Sequence, residues 1–237
     1  MNILSAVLDI FVVVSIVLIT ATSIKRGSIV AIIEFVGGII SAVVSAFSGW
    51  LIAITAYNLT FKGSLIRSLD SVVSNENGYV SKDLFNALPR FVQNALELVG
   101  INASNLLSVS GVNNTSTVTE AIEAQAAPYS ILYMTKISMV IIFTLLIVVM
   151  ITLSSKLSKH FVTTELKAAN NIISFIFGLV KAVLIIMMLM ILIDAIVLNL
   201  SADSAAAFNE AVNSSILFKL IHSVNIPLFI ISIVTGV

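Results

Sequence analysis

Residues 170–197 read NNIISFIFGLVKAVLIIMMLMILIDAIV, and beyond the opening asparagines the only fully charged residues are Lys181 and Asp194. A hydrocarbon core of about 30 Å needs about 20 consecutive apolar residues in helical form to cross it. This stretch meets that length, with about 172–198 as the span, and three others match it at about 3–24, 29–57 and 131–153. Backbone polar groups in lipid must be satisfied within their own segment, so long apolar runs without strand alternation predict helices and not a barrel. The expected fold is all-α: four transmembrane helices in a single membrane domain covering residues 1–237.

Composition agrees with the pattern. The chain is 59% hydrophobic with a mean hydropathy of +1.12, and its 10% of charged residues falls well below the roughly 25% of a soluble domain. Twelve basic and twelve acidic residues cancel, so no basic face points to nucleic acid. The absence of cysteine excludes disulfides, thiolate metal sites and cysteine nucleophiles. The first apolar stretch has no basic leader and no evident small-residue cleavage site, and reads as a retained helix.

The connections set the expected orientation. SIKRGS, between the first two spans, carries Lys25 and Arg26 ahead of Gly27 and no acid; SSKLSKHFVTTELKAANN, between the last two, carries Lys156, Lys159 and Lys167 against Glu165. Short basic loops lie on the cytoplasmic side, which sends both termini and the long 58–130 connection outward. Within that connection Leu65, Ile66, Leu69, Val72 and Val73 recur at helical spacing, as do Phe91, Val92, Ala95, Leu96 and Val99 between Pro89 and Gly100. Thr117 with Glu120 forms a capping-box pattern, and residues 102–117 read as a polar linker. A small helical cap without a sizeable core of its own is expected. After the fourth span, residues 201–237 carry Leu217, Leu220, Ile221 and Val224 as an apolar stripe ahead of Pro227, which predicts an amphipathic helix lying in the interface.

Five ionisable residues fall inside the spans: Asp9, Glu34, Lys136, Lys181 and Asp194. A charge near the bilayer centre costs at least about 2.5–3.5 kcal/mol and faces a partner or water. Lys181 and Asp194 stand 13 residues apart, about 20 Å along the axis and about 220° around it, so each must find its partner on another helix. Depth along the helices predicts two layers. Lys136 is shared between Asp9 and Asp194 in the outer layer, and Glu34 meets Lys181 in the inner one, because a helical lysine leans toward its helix N-terminus. Two readings of these ions stand: they specify packing or snorkel to the interface, or they line a polar path. Gly37, Ser41, Ser45 and Gly49 repeat every four residues, and Ser174, Gly178 and Ala182 form a second small-residue face; both predict close helix packing.

Catalytic signatures are missing. The chain contains no H-E-x-x-H, G-x-S-x-G or phosphate-loop motif. His160 and His222 stand isolated, and Asp9 and Asp194 lack the glycine-flanked setting of an intramembrane aspartyl pair. The expectation is therefore a protein without enzymatic activity, metal or cofactor.

The chain resembles the CvpA family, the colicin V production proteins of bacterial inner membranes. The resemblance rests on Asp9, on Arg26-Gly27, and on FGLVKAVLIIMMLMILID, which is similar to a family run F-G-x-x-[RK]-G ending in Asp; Phe177, Gly178, Lys181 and Asp194 match it. Ser174 and Ala182 stand where the family usually has glycine, and Glu34 lies a few residues beyond the acid often found after Arg-Gly. NSSILFKL, residues 213–220, is similar to a short serine-containing family segment. The resemblance extends over the four spans and not the long loop. It implies a role in toxin production or export and in envelope homeostasis, with no defined reaction. The lipid bilayer is then the first partner, and the cap, tail or small-residue faces would receive other membrane proteins or further copies of the chain; an oligomeric channel or transporter subunit is the alternative.

Overall fold

Gly27 is the single non-helical residue between the first two long helices, and its φ of 88° is one that side-chain-bearing residues rarely adopt. It folds α1 (Ile3–Arg26) tightly back on α2 (Ser28–Ala56). The computed structural model describes residues 3–73, 81–109, 118–158 and 167–235, and the described residues are almost entirely helical. The basic-loop residues Lys159, His160 and Glu165 and the capping residue Thr117 lie outside them.

At the end of α2 the chain does not leave the helix. A π-helical turn over Tyr57–Phe61 joins it to α3 (Lys62–Val73). The third span is likewise longer than its apolar run: α7 (Val118–Ser158) has 41 residues, or about 62 Å, roughly twice a hydrocarbon core. The α2–α3 rod and α7 therefore project together past the apolar zone. α8 (Lys167–Val197) completes a set of four helices long and apolar enough to cross a membrane. Their outward faces present Ile10, Leu18, Ile40, Leu51, Leu145 and Ile172 without a protein neighbour, the surface expected to meet lipid tails.

The projecting ends of the rods supply walls for the short helices of the 58–130 connection. Leu65 and Leu69 of α3 and Ile122 and Ala126 of α7 enclose α4 (Ser81–Ala87), α5 (Arg90–Leu98) and α6 (Leu106–Val109). Leu84, Val92, Leu96 and Leu106 are fully buried between them. The cap thus has a substantial core, contrary to the sequence expectation, because it borrows two walls from the spans. The stretch read as a polar linker also contributes to it through Leu106. Where the rods cross, Tyr57 donates to Glu123, which also pairs with Lys62 at 3.4 Å.

The tail divides into α9 (Ala202–Ser214), α10 (Leu217–Ser223) and α11 (Ile226–Thr235), with α9 and the α10–α11 segment meeting at 96°. It folds back onto the bundle and does not lie along it as one amphipathic helix. Phe218 is fully buried against Leu8, Val12, Ile186 and Met190, whereas Leu220 and Val224 of the predicted stripe are exposed. α11 packs on α2, α7 and α8, where Ile231 is buried beside Ala46, Met139 and Met188. The Asn225 amide donates to the Met187 carbonyl at 3.1 Å and fixes the entry of this last helix.

Candidate functional site: a buried carboxylate joining four helices

Glu34 lies two turns into α2 and is 1% exposed. The tight turn at Gly27 brings the last residue of α1 alongside it, and Arg26 Nη1 donates to Glu34 Oε1 at 2.6 Å. From α8, Lys181 Nζ reaches Oε2 at 2.5 Å. From α7, the Ser154 hydroxyl donates to Oε1 at 2.9 Å. One carboxylate therefore receives donors from the three other spans. The predicted meeting of Glu34 and Lys181 is present, and two partners that the sequence reading missed complete it.

In the sequence Arg26 reads as a loop cation together with Lys25. Its role depends on a one-residue connection, which a count of apolar residues cannot distinguish from a longer loop. Ser154 is the contact that α7 makes with this carboxylate among the described residues, and a serine at the end of an apolar run gives little signal. Asn170 was also missed: its side-chain oxygen accepts the Ser28 backbone N–H at 2.7 Å, satisfying a free donor at the start of α2 from the start of α8. Gly27 and Asn170 thus hold the entry of α2 in the position that Glu34 requires.

Two cations face one carboxylate here. Buried ions remain in a protein interior only when paired and hydrogen-bonded, and Lys181, with its side chain 8% exposed, meets that condition through Glu34. The Arg26 side chain is 36% exposed and reaches the open side of the cluster. Beside the three charges lies a cleft of about 140 Å³, whose deeper walls are Ile19, Ile147 and Ile185.

The predicted outer layer is arranged differently. Asp9 does not meet Lys136. Its Oδ1 accepts from the Ser215 hydroxyl at 2.5 Å and from the backbone N–H groups of Leu217 and Phe218, and its Oδ2 accepts from that of Ile216. Those amides begin α10 and have no partner within their own helix, so a carboxylate there is strongly favoured. Asp194 pairs with His222 Nε2 at 3.1 Å, which gives a partner to a histidine read as isolated. Lys136 is within electrostatic reach of Asp194 but has no carboxylate within 4.0 Å among the described residues.

Both small-residue faces are packing faces. A Cβ on Gly49 would lie 2.8 Å from the Met139 backbone nitrogen, and one on Gly37 would strike the Met150 side chain, so this stripe admits α7. Ser41 and Ser45 are buried on the same stripe. On α8 a Cβ at Gly178 would come within 2.7 Å of Ser23 Cβ and 3.3 Å of Thr20 Cα, so that face admits α1. Ser174 and Ala182 are fully buried beside it.

The sequence profile described as colicin V production protein matches residues 91–225 of the chain, more than half its length. The chain belongs to the colicin V production protein family. The matched stretch enters the cap at Phe91 and leaves out α1 and α2, so it redraws the resemblance traced over four spans and no loop. It takes in Lys136, Ser154, Lys181, Asp194, Ser215 and His222, while Asp9, Arg26 and Glu34 lie before it. No curated protein sequence and no solved structure matches the chain significantly.

Proposed function

We propose that the chain is a noncatalytic accessory protein of the bacterial cytoplasmic membrane, serving toxin production as its family's description suggests, and toxin export and envelope homeostasis as the resemblance implies, with both termini outside. The carrying observation is the Glu34 cluster. Its three donors come from α1, α7 and α8 and converge on one carboxylate, which suits a clamp that fixes the relative positions of four helices. The remaining intramembrane acids are engaged locally, Asp9 by the tail and Asp194 by His222, so the charged groups form separate fastenings at different places in the bundle. Partners would then be received by the cap and the folded-back tail.

A second reading has one observation in its favour: the cleft beside Arg26, Glu34 and Lys181 could be part of a polar path in an oligomer. The two readings separate in the Glu34→Gln/Lys181→Met double variant. A clamp tolerates a neutral pair of similar size, so secretion and envelope-stress readouts in cells should largely survive. A conducting path needs the charges themselves. Substantial ion or solute flux through purified wild-type protein in liposomes, lost in a folded double variant, would overturn the accessory reading.

A further inference from the structure

The cleft beside the Glu34 cluster has features that a helix clamp does not need. Arg26, Lys181 and Glu34 together carry one net positive charge, because among the described residues a single carboxylate serves both cations. The guanidinium has five N–H donors in a fixed fork and bonds Glu34 through Nη1, so among the described residues its remaining edge has no other partner and lies on the exposed side of the cluster. α1 packs on α8 and α2 but not side by side with α7, and the cleft lies between them, with Ile19 on α1, Ile147 on α7, and Lys181 and Ile185 on α8 behind. Ile19 stands seven residues before Arg26, about 10 Å deeper along α1. The site is thus cationic at the short-loop end, apolar below, and open toward the bilayer along the seam between α1 and α7.

We propose that this seam seats one anionic phospholipid, with its phosphodiester on Arg26 and the start of an acyl chain along Ile19, Ile147 and Ile185. The headgroup supplies the negative charge that the cluster lacks, and phosphate suits the planar donor fork of arginine. Basic pockets between transmembrane helices take lipid headgroups by this chemistry. A soluble phosphate would satisfy the charge but leave the apolar wall empty, and so the wall selects the lipid. The inference requires only that the bundle sits in a bilayer, and it is independent of the accessory role.

The experiment uses the purified full chain, delipidated in mild detergent. It is titrated with phosphatidylglycerol, with phosphatidylcholine of the same chains, or with inorganic phosphate, and followed by native mass spectrometry and thermal unfolding. The wild type should retain phosphatidylglycerol about tenfold better than phosphatidylcholine, with one tightly held copy. Arg26→Gln should reduce that preference to about twofold or less. Ile19→Trp, which fills the apolar wall without touching the charges, should release the lipid while leaving the lipid-free melting temperature close to wild type, and this variant decides the matter where Arg26→Gln folds poorly. Equal retention of the two lipids by the wild type would overturn the proposal, as would an undiminished preference in Ile19→Trp. Stabilisation by inorganic phosphate equal to that by phosphatidylglycerol would overturn it in favour of a free-anion site.

Discussion

The carboxylate of Asp9 and the hydroxyl of Ser215 meet at 2.5 Å, although 206 residues separate them. This contact closes the tail onto the first span, and Asp9 extends it by accepting three successive backbone amides at the start of α10. Asp9→Asn keeps the shape but removes the charge and turns one acceptor into a donor facing an N–H. It should destabilise the docked tail by about 1–2 kcal/mol, the range for loss of a helix-capping side chain. Ser215→Ala should do so by less. Limited proteolysis near residues 214–217 reads the effect directly; a cleavage rate in Asp9→Asn equal to the wild type would show that the carboxylate does not hold the tail.

The Glu34 cluster predicts an asymmetry between two single variants. Lys181→Met leaves Glu34 with Arg26 and Ser154, whereas Glu34→Gln leaves Lys181 buried without its counter-ion. Breaking a buried pair from one side typically costs about 3–5 kcal/mol, so Glu34→Gln should lie in that range and Lys181→Met below it. The double variant should recover part of the Glu34→Gln loss. Thermal unfolding of all four proteins in one detergent forms the cycle, and additive losses would argue against coupling.

These two sites differ in how far the sequence revealed them. Four spans were legible because an apolar run of bilayer length has few alternatives to a helix, and Glu34 with Lys181 was legible because depth and sign left little choice of partner. Asp9 was located correctly but paired wrongly. Its principal partners are backbone amides of a tail helix, which every sequence contains and none advertises. The stripe Leu65, Leu69, Phe91, Val92 and Leu96 announced part of the cap core. Leu84, Phe85 and Leu106 did not stand out, because α4 and α6 are too short to display a periodic face. The depth of that core also depended on α7 and α3 running past the apolar zone, which an apolar window ending near Ala56 or beginning near Ile131 cannot show.

Glycine substitutions separate packing positions from free ones. Gly49→Ala places a methyl group 2.8 Å from a backbone atom of α7, and backbone cannot step aside as a side-chain tip can. The expected loss is about 1–3 kcal/mol from overpacking. Gly63, in α3, has nothing within 4 Å of its would-be Cβ. There alanine should stabilise by up to about 1 kcal/mol through helix propensity alone. Equal melting temperatures for the two variants would contradict the close approach of α2 and α7.

His222, in the tail outside the four spans, should make tail docking pH-dependent. Its hydrogen bond to Asp194 and that residue's charge raise its pKa above the usual histidine value, against the opposing effects of burial and of Lys136. A raised folded-state pKa favours the protonated form. The stabilisation is therefore fully present below the unfolded histidine value of about 6.5. It is lost as pH rises through the higher folded-state value. Thermal unfolding across this window should show stability declining with pH in the wild type, and His222→Phe should flatten that slope. An unchanged slope in the variant would assign the pH dependence to another group.

Orientation has a direct chemical test, because the chain contains no cysteine to give background. The short connections hold an uncompensated excess of Lys and Arg, which predicts a cytoplasmic location for both. Ser23 is fully buried and would resist a reagent on either side, so it cannot report on topology. Lys25 and Lys156 are exposed at the short-loop end, and Asn102 is exposed in the cap. In intact cells, single cysteines at Lys25 and Lys156 should resist a membrane-impermeant thiol reagent until the membrane is opened, whereas one at Asn102 should react at once. The reverse pattern would invert the bundle and place the cap, with its borrowed core, in the cytoplasm.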